Sequence, residues 1–159
     1  MPDPDDHSGI VLRSGAHSFE LRVLGYQFPE GGDSANWLRV RVRASFPRGA
    51  WTATHPSLQV FDLYRVAAWF EDVLGGAPSS KEIEMSEPNL GFVFVGKNEG
   101  FNTVRIWLSG ELLPPDLFSS HWDDEHDIYA DFELSELEMR AVAESFRAEA
   151  ARFPQRAGG

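Results

Sequence analysis

Leu38, Val40, Val42 and Ala44 alternate with Arg39, Arg41 and Arg43 without a break. A period of two sends successive side chains to opposite faces, so this segment predicts a half-buried β-strand with one apolar face and one arginine face. It is the cleanest alternation in the chain. An arginine row can grip phosphate or carboxylate through its planar forks. The favoured expectation is plainer: a solvent-facing row, with Arg22 as a candidate neighbour, paired with Glu20 and other cross-strand acids.

Other segments repeat the pattern. Residues 9–13 form a short strand candidate, followed by a Ser14-Gly15 turn. Phe19, Leu21 and Val23 alternate with Glu20 and Arg22, and the strand runs on to Tyr26 with Gly25 as a candidate bulge. Pro47-Arg48-Gly49 turns the arginine strand into a partner over 50–54. A second set follows: 81–85, the stretch 91–96, Val104 to Leu108, and Ile128 to Phe132. Residues 91–96 are apolar on both faces, which predicts a central strand.

Two segments carry the helical period. Leu63, Val66, Ala67, Phe70, Val73 and Leu74 recur three and four apart, predicting a helix from near Ser57, with Ser57 as its cap, to Leu74. Gly75-Gly76 ends it. Ser135-Glu136-Leu137-Glu138 is a capping box, with Leu134 and Met139 at the staple positions. Met139, Val142, Ala143, Phe146, Ala150 and Phe153 form the buried stripe, and Pro154 stops the helix. The order ββββ-α-ββββ-α predicts an α+β fold: an antiparallel sheet or a two-sheet sandwich of about eight strands with two helices.

The 159 residues fit a single domain, 1–159, with an ordered core over 9–153 and loose ends at 1–8 and 154–159. The chain has no cysteine, which excludes disulfides, thiolate zinc sites and cysteine nucleophiles. No apolar run approaches the roughly 20 residues that span a bilayer. The acidic start, Met1-Pro2-Asp3-Pro4-Asp5-Asp6, has no apolar core of a secretory signal. A cytoplasmic protein without membrane contact is the expectation. Twenty-five acids face 14 bases, for a formal charge of −11. Nucleic-acid binding runs on basic side chains, so no nucleic-acid partner is expected. An acidic balance favours basic partners or serves solubility.

His121-Trp122-Asp123-Asp124-Glu125-His126-Asp127 gathers two histidines and four carboxylates. The order fits neither an EF-hand loop nor H-E-x-x-H, so no metal is assigned. Trp122 ringed by charge also suits an interface anchor. Ser and His occur without a G-x-S-x-G elbow, and no phosphate-binding glycine loop is present. Glu82, Glu84 and Glu87 could supply a carboxylate pair, but carboxylates at that spacing are more often a solvated strand face. No catalytic residue and no cofactor follow. Asn36-Trp37 and Glu87-Pro88-Asn89 sit at loop-to-strand junctions, where Asn and Glu can bond loop backbone and Pro88 fixes φ. They are expected to pin two loops to the sheet.

Leu24-Gly25-Tyr26-Gln27-Phe28-Pro29, Ser34-Ala35-Asn36-Trp37-Leu38 and Glu87-Pro88-Asn89-Leu90-Gly91-Phe92, in that order and spacing, resemble the WapI-family immunity proteins. The resemblance continues through the helix holding Trp69 and through Phe132-Glu133-Leu134-Ser135, spanning about 10–153. Ser34 and His55-Pro56 depart from the family's commoner residues. The resemblance implies a cytoplasmic bacterial protein, without enzymatic activity, that neutralises a polymorphic toxin domain. The toxin of the family's namesake cleaves RNA. An acidic inhibitor suits the basic cleft of a nuclease. Trp122, Asp123, Asp124, Glu125 and Asp127 are the expected contact surface for such a basic partner. The alternatives are a small metal-dependent hydrolase using this loop, or a regulatory interaction module.

Overall fold

The computed structural model describes residues 9–30, 35–76, 78, 80–114 and 128–156. Eight strands form two antiparallel sheets of four, each in sequential order. The first sheet holds β1 (Ile10–Ser14), β2 (His17–Tyr26), β3 (Trp37–Phe46) and β4 (Gly49–Gln59). Helix α1 (Val60–Leu74) leads to the second sheet of β5 (Glu82–Glu84), β6 (Leu90–Asn98), β7 (Phe101–Leu108) and β8 (Ile128–Ser135). Helix α2 (Glu136–Arg152) follows directly. The element order is the one the periodicity predicts, and the choice between one sheet and two resolves to two.

The inner faces of the sheets meet in one core. Phe19 of β2 packs edge-on against Phe92 of β6, and Phe46 of β3 against Phe132 of β8, each with centroids 6.2 Å apart. Phe70 of α1 and Phe146 of α2 stack at 6.2 Å, and both lie against Phe92. Phe19, Phe70, Phe92, Phe132 and Phe146 are fully buried. Each such ring contributes about 1.5–3 kcal/mol by leaving water.

Alternation builds the first sheet. Leu38, Val40, Val42 and Ala44 point inward and are buried. Two bulges interrupt the register at one level. Between Val23 and Gly25, β2 has an extra residue against β3, and Gly25 takes a positive φ there. Between His55 and Leu58, β4 has an extra residue against the same part of β3. Pro56 fits there because β4 is an edge strand. The β2 bulge leaves the Val23 amide to the buried Glu149 of α2, whose Oε2 accepts it at 3.3 Å. Arg152 neutralises the other oxygen at 2.9 Å.

Helix α1 starts later than its apolar stripe suggests. Ser57 lies in β4, buried, and its Oγ has no hydrogen-bond partner. Leu58 and Gln59 pair with Leu38 and Trp37, so sheet pairing holds the chain extended up to the helix. The start is secured by Asp62, fully buried, whose Oδ2 accepts the Gln59 and Ser86 amides at 2.8 and 3.2 Å. Helix α2 carries the expected reciprocal cap between Ser135 and Glu138.

Strand β6 is internal, between β5 and β7, as its composition predicts. Its outer face is covered only in part. The Trp107 indole lies across Gly91, where a Cβ would stand 2.2 Å from the ring, while Val95 is 50 % exposed.

Candidate interaction surfaces

The three segments that carry the family resemblance come together at one end of the first sheet. The Gln27 amide donates to the Trp37 carbonyl at 2.8 Å, joining the end of β2 to the start of β3. Asn36 is buried; its carbonyl accepts the Val60 amide at 3.0 Å, and its side chain exchanges hydrogen bonds with the Arg156 backbone at 3.0 and 2.7 Å. Arg156 donates from its side chain to the carbonyls of Phe28, Pro29 and Ala35, over the face of Tyr26. The Tyr26 hydroxyl donates to the Pro154 carbonyl at 2.6 Å. The stop signal at Pro154 marks the end of the helix, and hydrogen bonding runs two residues beyond it.

The second junction is tied in the same manner. Asn89 Nδ2 donates to the Ser109 carbonyl at 3.2 Å and to Glu111 Oε2 at 2.8 Å. Ser109 returns bonds to the carbonyls of Asn89 and Pro88. Between the junctions lies an open cleft of about 260 Å³ lined by Gln27, Phe28, Trp37, His55, Pro56 and Glu87. Asn36 and Asn89 thus bond loops, whereas Trp37 and Glu87 face the cleft. His55 Nε2 stands 3.8 Å from Glu111 Oε2 at its side.

The carboxylates considered for acid–base chemistry do not converge. Glu82 and Glu84 line a separate groove of about 430 Å³ between α1 and β5, with Arg65, Trp69 and Asp72, while Glu87 lies in the cleft. The perturbed groups Glu71, Arg147 and Arg105 belong to exposed ion pairs. Hydrogen bonding to Arg147 holds the Glu71 carboxyl below its usual range, and the same contact raises Arg147. Hydrogen bonding to Asp131 raises Arg105. The first pair bridges α1 and α2 and the second joins β7 to β8, so both shifts reflect sheet and helix packing. Among the described residues no group of His, Asp and Glu is arranged to hold a metal ion. Trp122, Asp123, Asp124, Glu125 and Asp127 lie outside the described residues. No helix among the described residues is long and apolar enough to cross a membrane.

The outer face of the first sheet departs from expectation. Register places Glu20 opposite Arg43 and Arg22 opposite Arg41. Among the described residues, no ion pair joins Arg39, Arg41 or Arg43 to a carboxylate. Among the described residues the cross-strand pairing expected from the acid surplus is not made: Glu20 stands opposite Arg43 without an ion pair, and β4 sets Thr54 beside Arg41 and Thr52 beside Arg43.

No curated protein and no solved structure matches the chain. Residues 10–154 match the Immunity protein WapI-like family. That match runs from the first strand past the end of the last helix and takes in the second junction, the cleft and all of the first junction but Arg156, and with it the chain belongs to the WapI-like immunity protein family.

Proposed function

We propose that this protein neutralises a cognate toxin domain by stoichiometric binding, with no chemistry of its own, and that the toxin is a cationic nuclease met in the cytoplasm. The family match over residues 10–154 carries the reading. Charge supports the finer part. At −11, the protein is attracted to a basic nucleic-acid cleft, and such steering raises association rates to about 10⁸–10⁹ M⁻¹s⁻¹ at low salt. Trp122 serves as an apolar anchor and Asp123, Asp124, Glu125 and Asp127 as phosphate mimics in that cleft.

The test is co-expression with a cationic nuclease toxin domain, sought first among the neighbouring genes. Protection of the cells and a one-to-one complex in sedimentation are expected. In Asp123→Ala/Asp124→Ala/Glu125→Ala, association should slow at least tenfold, with a flatter salt dependence. An unchanged association rate removes the acidic segment 121–127 from the interface. Turnover of a small substrate that one point change abolishes would overturn the binding reading.

A further inference from the structure

Ten of the twelve arginines of this protein fall into two groups. Arg65, Arg105, Arg140, Arg147 and Arg152 each sit within 4 Å of a carboxylate, and Arg156 is engaged by backbone carbonyls. Arg13, Arg39, Arg41 and Arg43 have no such partner among the described residues, and all four stand on the outer face of the first sheet with one acid, Glu20. The chain holds 25 acids, so carboxylates are not scarce. The register also sets Arg22, which is buried, opposite Arg41. The five arginines with carboxylate partners lie elsewhere, while Arg13, Arg39 and Arg43 of this face are exposed.

We propose that this arginine face is a docking surface for a folded protein that presents a compact patch of carboxylates, along an acidic helix or strand. Alternate arginines on β3 stand about 6.7 Å apart, and the face spans about 15 Å across its four strands. Carboxylates four apart on a helix rise about 6 Å, close to the arginine spacing. Each guanidinium offers a planar fork that a carboxylate meets with two hydrogen bonds. At the β1 end, Arg13, Glu20 and Arg43 border an open depression of about 410 Å³ with Ser18, Ser45 and Thr52, whose hydroxyls add neutral hydrogen-bonding groups.

A nucleic acid fits less well. The residues beside the arginines in register are Ser18, Glu20, Arg22, Gly25, Thr52 and Thr54, and none of them offers a ring on which a base could stack. A polyphosphate running off the face would meet a protein of charge −11, whereas a carboxylate patch ends where the face ends. The inference stands apart from toxin neutralisation, and its test needs no toxin.

The experiment uses the full chain and a fluorescein-labelled 20-residue Ala/Glu helical peptide with glutamate at every fourth position. Binding is read by anisotropy at 50 mM salt, about the low end of the range where surface charge acts strongly. Arg39→Ser/Arg41→Ser/Arg43→Ser should weaken binding at least tenfold. Arg48→Ser/Lys97→Ser/Arg140→Ser, which changes net charge equally, should stay within twofold. Equal losses in both variants overturn the assignment of the face, as does failure of the wild-type chain to bind the peptide. Tighter binding of a 20-nucleotide oligothymidylate than of the peptide overturns the protein partner. Should the triple variant melt early, Arg39→Ser and Arg43→Ser singly, both exposed, carry the test, each with about a threefold loss expected.

Discussion

On the outer face of the second sheet, Arg105 lies opposite Asp131 and closes two hydrogen bonds with it, at 2.8 and 3.1 Å. The guanidinium also sits 4.1 Å from the centre of the Tyr129 ring. On the outer face of the first sheet, Arg41 lies opposite Arg22, and Glu20 lies opposite Arg43 without closing a pair. Both faces look alike in sequence: apolar residues alternating with polar ones, arginine among them. What separates them is whether the acid set across the strand closes a pair: Asp131 does and Glu20 does not. The second sheet fills part of its outer face with its own side chains, laying Trp107 over Gly91 and Asp131 on Arg105. The first leaves charge available to another molecule.

The comparison can be broken most strongly at Gly91. A methyl group there would stand 2.2 Å from the Trp107 ring, and the indole cannot withdraw cheaply from a buried position. Gly91→Ala should cost about 2–3 kcal/mol, the upper range for overpacking, measured as a lowered midpoint in urea unfolding. A midpoint unchanged from the parent would show that the indole moves without cost. Next in size is a matched pair of truncations. Asp131→Ala should destabilise by about 0.5–1 kcal/mol, since the pair is bidentate though half exposed, whereas Glu20→Ala should lie within about 0.3 kcal/mol of zero. Equal costs at the two sites would erase the distinction between the faces. The smallest effect is expected at Arg41→Thr. The better strand propensity of threonine should raise stability by about 0.3 kcal/mol. A clear loss there would mean that the Arg41 stem holds the sheet.

Period decided the elements, and period is visible in sequence. The alternation around Val40 and the threes and fours from Leu63 to Leu74 place β3 and α1 because burial on one face imposes those spacings. Boundaries depended on partners far along the chain. Ser57 has the chemistry of a cap, but pairing of Leu58 with Leu38 extends β4 past it, and Asp62 secures the helix instead. The arginine row was legible as a row; its lack of carboxylate partners was not, because a count of charges carries no register. Trp37 and Glu87 could be singled out near loops, yet the cleft they share with His55 arises from segments 50 residues apart that only the folded sheets bring together. Arg156 follows a helix-stopping proline, and no local pattern signals that it binds three carbonyls of another loop.

The paired bulges beside Arg39 have a consequence for how the first sheet tolerates change. In β3 the core side chains keep even numbers from Leu38 to Ala44. In β2 they are odd through Val23 and even at Tyr26; in β4 Ala53 is odd and Leu58 even. Each outer strand thus shifts its reading frame by one residue at the same height, while the strand between them does not. Removing Leu24 alone would throw Tyr26 to the opposite side of the sheet, away from Pro154, and leave β4 still in the shifted frame. Length changes in this sheet are therefore tolerable at its turns and not at this level, where a single codon sets which way the rest of the strand looks.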